Sequence, residues 1–172
     1  MKKKNIIKTR RYESPCGTLL LGSFGDKLCL CDWQIEKHRG HVDRRLKRIL
    51  NAEFEEGTSE VIEQAVRQLD EYFAGKRKVF NVPLLFVGTD FQKKVWSELL
   101  NIPFGETISY KEMARRIGLP TAVRAVANAN GANSVSIFAP CHRVIGSDNS
   151  LTGYGGGLAA KEKLLKLEGF LY

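Results

Sequence analysis

The stretch SYKEMARRIGLPTAVRAVANANGAN, from Ser109 to Asn133, decides the fold of the C-terminal half. Ser109 and Glu112 have the spacing of a capping box, so the sequence predicts that a helix begins here. The glycine and proline of Gly118 to Pro120 end that helix, and an alanine-rich helix from Thr121 to Ala129 follows at once. Two short helices joined in this way predict a helix-turn-helix.

Two longer amphipathic helices are predicted upstream of this motif. The first runs from Ser59 to Ala74, with apolar residues at helical spacing. The second begins at Thr89 or Asp90, and its apolar side is expected to face the core. An extended segment from Lys76 to Gly88 connects the two helices.

The first third of the chain reads mainly as β-structure. Residues Arg10 to Trp33 show strand patterns separated by turns at SPCG, residues 14–17, and at Gly25-Asp26. The highly charged segment Glu36 to Glu56 is expected to be exposed, with a short helix around Arg44 to Leu50. The sequence therefore predicts an α/β (α+β) protein with a strand-rich N-terminal α/β domain, 1–87, and a mainly helical C-terminal domain, 88–172, that contains the helix-turn-helix.

The segment NSVSIFAPCHRV, residues 133–144, carries the most reactive group of the chain. A strand is predicted for Ser134 to Ala139, after which a proline presents Cys141, His142 and Arg143 at a bend. A free thiol is only slightly ionised at neutral pH, so a nucleophilic cysteine needs a base or positive neighbours. His142 serves Cys141 only if the chain turns there or a water bridges the two groups.

The sequence PCHRV, followed by IG and a glycine-rich loop, resembles the active-site signature of the O6-alkylguanine-DNA alkyltransferase family. The similar segments keep the family's order and spacing over the C-terminal half of the chain. They are GETISYKEMA (105–114), RAVANANGAN (124–133), SIFAPCHRVIGSDNSLTGYGGGL (136–158) and KEKLLKLEG (161–169).

The resemblance implies direct DNA repair, in which Cys141 takes an alkyl group from O6 of guanine, irreversibly and once per molecule. His142 takes the thiol proton through a water, and Glu168 holds the imidazole. Asn133 links the recognition helix to the cysteine, and Tyr110 donates its hydroxyl toward the departing guanine and contacts a neighbouring phosphate. The reaction implied needs no metal and no organic cofactor, and O4 of thymine stays open as a second position from which Cys141 could take an alkyl group.

The resemblance also implies a double-stranded DNA partner, bound in the minor groove with the alkylated base flipped out of the duplex. Arg124 takes the place of the extruded nucleotide, and small residues around it, with Thr121 and Ala125 among them, allow close approach. Tyr110 belongs to this DNA-binding set as well. A monomer is expected.

A substrate pocket is implied beside Cys141. Val144, Tyr154, Gly155 and Asn130 are its expected lining, with Tyr154 as one wall in the loop Thr152 to Leu158. Gly155 stands where some members of the family have serine, and Asn130 where some have an apolar residue. These departures concern the size of the pocket and the range of alkyl groups, whereas the reaction stays the same.

Three other functions are alternatives, of which a simple helix-turn-helix regulator is weakened because no extra sensing domain or dimer helix is evident in the sequence. An alkyltransferase-like sensor would flip the damaged base without repairing it, but such proteins lack the cysteine found here at position 141. A cysteine hydrolase built on Cys141 and His142 would need an oxyanion hole and usually a histidine from a distant segment. A test of ester hydrolysis separates the hydrolase from alkyl transfer.

Composition agrees with a DNA-binding protein. The chain has 172 residues, a formal net charge of +8 and a pI near 9.4, which favours a polyanionic partner. Its apolar runs are too short for a membrane span or a secretory signal, so the expected location is the cytoplasm, without a membrane partner. Zinc binding by Cys29 and Cys31 with His38 and His41 is disfavoured because C-x-C is not the usual knuckle spacing, and no metal site is predicted.

Overall fold

A computed structural model of the protein describes residues 4–147, 154 and 156–170. The N-terminal half forms a four-stranded sheet in the order β3-β2-β1-β4. The strands are β1 (Asn5–Ser14), β2 (Gly17–Phe24), β3 (Lys27–Trp33) and β4 (Ala52–Glu56). The first three strands form an antiparallel meander, and β4 lies parallel to β1. The predicted turns at residues 14–17 and 25–26 are confirmed.

Two helices accompany this sheet, α1 (Glu36–Leu50) and α2 (Glu60–Phe73). The prediction for the first was wrong in extent, because the helix begins well before Arg44. Val42 and Leu46 lie one turn apart and are buried against the sheet, which stabilises the longer helix. The expected exposure of residues 36–56 is wrong for part of the segment, since Val42 and Leu46 are buried and the end of the segment pairs with β1 as β4.

The C-terminal half consists of helices around two short strands. The elements are α3 (Asp90–Leu99), β5 (Ile108–Ser109), α4 (Tyr110–Arg116), α5 (Val123–Gly131), β6 (Val144–Ile145) and α6 (Leu158–Leu167). Thr89 and Gln92 form a full capping box at the start of α3. Ser109 caps α4 by accepting from the backbone N–H of Glu112.

The helix-turn-helix is formed by α4 and α5. Gly118 has a φ of +78°, a left-handed conformation that glycine adopts at little cost, and this residue ends α4. The second helix begins and ends two residues later than predicted. Thr121 lies before it, where Ala122 donates a turn hydrogen bond to Leu119 O.

One large core joins the sheet, α2 and the C-terminal helices, and a smaller core lies between the sheet and α1. The strand β3, which contains Cys29 and Cys31, is interrupted by a β-bulge, because Gly22 pairs with Leu30 while Ser23 pairs with Leu28. Cys29 therefore enters the smaller core and Cys31 the larger one. The two thiols are not directed at a common ligand.

Within residues 4–147, 154 and 156–170, no helix has the length and apolar character that crossing a bilayer requires.

Candidate active site

Cys141 sits on a 3₁₀ turn, Cys141–Arg143, between α5 and β6. The predicted strand from Ser134 to Ala139 is wrong, because this segment makes only isolated bridges. Ser134 O accepts from Cys31 N at 2.7 Å, and Ser136 N donates to Cys31 O at 2.7 Å, so the segment begins along β3. It then turns back at Ile137, whose φ of +75° is rare for a β-branched residue. The turn directs the chain toward Cys141 instead of continuing the sheet.

Asn133 holds the two ends of this turn together. Its Nδ2 donates to Ala139 O at 2.9 Å, and its Oδ1 accepts from Val135 N at 3.0 Å. Asn133 comes two residues after the end of α5, so the recognition helix and the segment that carries Cys141 are joined by one buried side chain. The part of Asn133 in the reaction stays a prediction.

The thiol of Cys141 is buried. Burial raises its pKa from 9.0 to about 11, although hydrogen bonds with Asn133 and Ser136 and the charge of Lys161 act in the opposite direction. The resting group is therefore a neutral thiol at physiological pH, and it needs a base in order to react.

His142 and Glu168 form a buried pair, with 2.7 Å between His142 Nε2 and Glu168 Oε2. Burial raises the pKa of Glu168, but hydrogen bonds and charges from His142 and Arg143 outweigh that effect and hold the pKa well below its usual range. Burial lowers the pKa of His142, against the opposing effect of Glu168. We therefore take the resting pair as an ionised carboxylate and a neutral imidazole, because Arg143 supplies a permanent positive charge.

The other groups around Glu168 explain why a charge is stable in the core. Arg143 donates from Nε to Oε1 at 2.8 Å and from Nη2 to Oε2 at 3.1 Å. Tyr72 donates its hydroxyl to Oε2 at 2.6 Å, and Gly105 N donates to Oε1 at 3.2 Å. With this many donors, the carboxylate is fully hydrogen-bonded.

This arrangement fixes the tautomer of His142. Since Glu168 accepts only, Nε2 of the neutral ring carries the proton and donates it to the carboxylate. Nδ1 is then the lone-pair atom, and it has no hydrogen-bond partner within the described residues. The free lone pair of Nδ1 is what a general base requires.

Asn130 lies next to both Tyr110 and the backbone of Cys141. Asn130 Nδ2 is 3.2 Å from Cys141 O and 3.5 Å from the Tyr110 hydroxyl. Lys161 is buried nearby, with its ammonium 5.6 Å from the Tyr110 ring centroid, and it donates to Val144 O at 2.6 Å. Burial lowers the pKa of Lys161 to about 8. Of the other expected pocket residues, Val144 is buried in β6, whereas Gly155 falls outside the described residues.

Tyr154 is buried and connected to the N-terminal half. Trp33 Nε1 donates to the Tyr154 hydroxyl at 3.0 Å, and the two rings meet edge to face. A Cβ placed on Gly156 would lie 2.6 Å from Trp33 Nε1, so only glycine fits at that position of the loop. Trp33 therefore sets the position of the expected pocket wall.

The expected DNA-binding residues are spread over the outer face of the helix-turn-helix. Arg124 and Ala125 are exposed at the start of α5, and Thr121 is exposed just before it. Val126, one turn on from Ala122, is buried and packs α5 into the core. Tyr110, by contrast, is buried at the start of α4, with its hydroxyl 3.5 Å from Asn130 Nδ2.

Sequence reasoning missed three contributors to the site. Tyr72 and Trp33 come from the N-terminal half and read as ordinary core aromatics, so no local signal marks them. Arg143 was noted only as a positive neighbour of the thiol, whereas its guanidinium binds Glu168 and Ile102 O, the latter at 2.6 Å. Its place directly after His142 was the one available indication.

Two family models match this chain, one in the N-terminal half and one in the C-terminal half. Residues 7–86 match the family model described as 6-O-methylguanine DNA methyltransferase, ribonuclease-like domain, and residues 90–170 match its DNA binding domain. A methylated-DNA--protein-cysteine methyltransferase of Methanosarcina acetivorans is 46% identical over 92% of this chain and 96% of its own. The constitutive methyltransferase of that name from Bacillus subtilis is 42% identical over 93% of this chain and 94% of its own.

Solved structures agree with these relatives. The Mycobacterium tuberculosis O6-methylguanine methyltransferase superposes with a TM-score of 0.78 at 44% identity, over 94% of this chain and 92% of that one. A structure of the M. tuberculosis protein in complex with DNA gives the same TM-score and identity, over 95% and 92% of the two chains. With both halves matched and the buried Cys-His-Glu arrangement in place, the chain belongs to the 6-O-methylguanine DNA methyltransferase family.

Proposed function

We propose that this protein repairs alkylated DNA directly, by transferring the alkyl group from O6 of guanine to Sγ of Cys141. The observation that carries the proposal is the buried series of a neutral thiol, a neutral imidazole with a free Nδ1, and an ionised carboxylate. Relatives over the whole chain are named methylated-DNA--protein-cysteine methyltransferases, which supports the same reaction here.

The reaction begins with removal of the thiol proton. A water between Cys141 and His142 passes the proton to Nδ1, and Glu168 stabilises the imidazolium that forms. The thiolate then attacks the alkyl carbon in line with its bond to O6. A C–S bond forms as the C–O bond breaks, and the bonding electrons leave with guanine.

The departing guanine must be stabilised as its negative charge develops. Tyr110 is the proposed hydrogen-bond donor, since its hydroxyl lies 3.5 Å from Asn130 Nδ2, which is also 3.2 Å from Cys141 O. The proton taken from the thiol is returned through solvent, so the products are guanine in DNA and a thioether at Cys141. A thioether has no easy leaving path, and each molecule therefore acts once.

DNA binding is assigned to the helix-turn-helix. We propose that α5 enters the minor groove, with Arg124 in place of the flipped nucleotide and with Thr121 and Ala125 against the backbone. Their exposure on one helix end supports this orientation. The flipped alkylguanine would then lie between Tyr154, Val144 and the thiol. We propose that the protein acts as a monomer in the cytoplasm.

The two halves have different proposed roles. Residues 88–172 carry DNA binding and the acceptor, and residues 1–87 form a structural domain that positions them. The hydrogen bonds from Tyr72 to Glu168 and from Trp33 to Tyr154 support the structural role of residues 1–87.

Mass spectrometry of the intact protein and of its peptides tests the proposal. The protein is incubated with a duplex containing one O6-methylguanine, beside C141A and, as a matched control at another thiol, C16A. We expect one added methyl group on the Cys141 peptide of the unmodified protein and of C16A, and none on C141A. Binding of the lesion without any change in mass would instead identify a sensor, and turnover of a chromogenic ester would identify a hydrolase.

A further inference from the structure

A basic cleft lies on the N-terminal half, away from the thiol and from the outer face of α5. It has a volume of about 770 Å³ and is formed by the C-terminal half of α1 with the starts of β1 and β4. Its lining residues are Lys4, His41, Arg44, Arg45, Lys47, Arg48, Asn51 and Ala52. We call it the α1 cleft.

Most of the positive charge in the α1 cleft is not neutralised. Among the described side chains, Arg44 and Arg48 make no ion pair with a carboxylate, whereas Lys4 pairs with Glu53 at 2.6 Å. The ammonium of Lys47 lies 4.8 Å from the Phe54 ring centroid, and its charge adds to the larger effect of Lys4 in lowering the pKa of Glu53. Arg44 Nη2 instead lies 3.3 Å from His41 Nδ1. Basic groups held this close repel one another, so an anion in the cleft would relieve an unfavourable interaction.

Helix stability explains only part of this cluster. Lys47 and Arg48 are in the last turn of α1, where positive side chains interact favourably with the helix dipole. Arg44 is one turn earlier and is not explained in this way, whereas Lys4 is already paired with Glu53. The cluster therefore has more positive charge than the helix end requires.

The chemistry of the cleft fits a phosphate backbone better than a small anion. The helix end that lines it offers carbonyl oxygens, while small-anion sites are usually built from backbone N–H groups at helix starts. The positive groups here are long, exposed side chains that can follow a series of phosphates. We propose that the α1 cleft is a second DNA-contact surface, which binds phosphates of duplex DNA outside the segment held by α5.

The α1 cleft is connected directly to the DNA-binding unit. Arg45, in the cleft wall, donates from Nη2 to Ala132 O at 2.7 Å, immediately after α5 ends. It also donates from Nε to Val87 O at 3.0 Å, and its guanidinium lies 5.2 Å from the Trp96 ring centroid. Arg45 therefore connects the cleft wall to the segment that directly follows α5.

The test is the salt dependence of binding to undamaged duplexes. R44Q/R48Q removes two exposed charges of the cleft, and K27Q/K76Q removes two exposed charges elsewhere, so the net charge of the two variants is equal. Losing two phosphate contacts lowers the slope of log affinity against log salt by about two and weakens binding about tenfold near ~0.1 M salt. We expect this change in R44Q/R48Q and not in K27Q/K76Q.

Duplex length identifies the source of the phosphates. If R44Q/R48Q loses affinity for a duplex of about 40 base pairs but not for one of about 12, the contact is with flanking DNA of the same molecule. If the variant loses affinity for both lengths, and two short duplexes bind per protein, the contact is with a second duplex. A wild-type slope in R44Q/R48Q, or an equal loss in K27Q/K76Q, would overturn the proposal.

The binding measurement needs no alkyl transfer, so its result is independent of the proposed repair reaction. As a check on the active site, transfer from the free base O6-benzylguanine should proceed at the wild-type rate in R44Q/R48Q. These two arginines touch none of the groups around Cys141.

Discussion

Trp33 and Tyr154 are 121 positions apart in the sequence, yet the indole N–H of Trp33 donates to the Tyr154 hydroxyl at 3.0 Å. Trp33 ends β3, whereas Tyr154 lies in the loop before α6. The contact therefore joins the N-terminal sheet to the proposed wall of the substrate pocket. Both side chains are buried, so neither partner has water as an alternative.

A double-mutant cycle measures this contact. W33F removes the donor, Y154F removes the hydroxyl, and each should lower the free energy of unfolding by about 1 kcal/mol or more, because a buried polar group loses its partner. The double variant should lose less than the sum of the two, with a coupling of about 1 kcal/mol, when measured by denaturant unfolding. Additive losses would mean that the hydrogen bond contributes nothing.

Glu168 is expected to matter for both catalysis and stability. E168Q keeps the shape of the side chain but leaves Arg143 buried without its counter-charge, which should cost roughly 3 kcal/mol of unfolding free energy. The imidazolium of His142 would also lose its stabilising partner, and the single-turnover transfer rate should fall by about 100-fold or more.

Y72F is the matched control for E168Q. It removes one donor to Glu168 and leaves the charge in place, so its effect on the rate should be much smaller. Equal rates for E168Q and the unmodified protein would show that His142 works without the carboxylate.

Transfer should depend on pH through His142. The neutral ring is the base, and burial lowers its pKa below the usual 6.5. The single-turnover rate should therefore be constant near neutral pH and fall only in acid, at a pH below the usual 6.5 of histidine. A rate that rises tenfold per pH unit across neutrality would instead indicate direct reaction of a pre-formed thiolate.

Stability should decrease toward both ends of the pH range. The lowered pKa of His142 and of Glu168 means that the unfolded chain binds protons that the native state does not. The contribution of these two groups to the free energy of unfolding is therefore fully present above the unfolded pKa of histidine, about 6.5. It is lost on acidification, first through His142 and then, below about pH 4.5, through Glu168.

At the alkaline end the sign reverses, because the pKa of Cys141 is raised from 9.0 to about 11. Its contribution is present below pH 9 and is lost as the pH rises toward 11. Denaturant unfolding of the protein and of C141S across this range measures the difference, and C141S should show the shallower alkaline decline. The same slope in both proteins would contradict the raised pKa.

Arg124 should affect reactions on DNA and leave the chemistry at the thiol unchanged. R124A removes the exposed side chain that is proposed to fill the stack, so transfer from a damaged duplex should slow by about tenfold or more, in line with the few kcal/mol that flipping costs. Transfer from free O6-benzylguanine should be unaffected. R67A, which removes an exposed arginine of α2, is the control. A similar decrease of the transfer rate in R67A would mean that the effect of R124A comes from net charge alone.

The sequence by itself determined the locally encoded parts of this protein. Capping side chains and helical spacing set α2, α3 and α4 close to their observed bounds, and the two turns of the meander follow from glycine and proline. Four segments of the C-terminal half, one of them containing Cys141, identified the resemblance to the family. These features depend on residues within a few positions of one another, which is why a sequence pattern reveals them.

Only the tertiary structure decided which distant residues complete the site. The length of α1 depends on packing of Val42 and Leu46 against the sheet, and β4 exists because it pairs in parallel with β1. Tyr72 reaches Glu168 across 96 positions, a contact that no local pattern encodes. Burial is the common physical reason, because it shifts the pKa values of Cys141, His142 and Glu168, and it arises only when both halves of the chain enclose them.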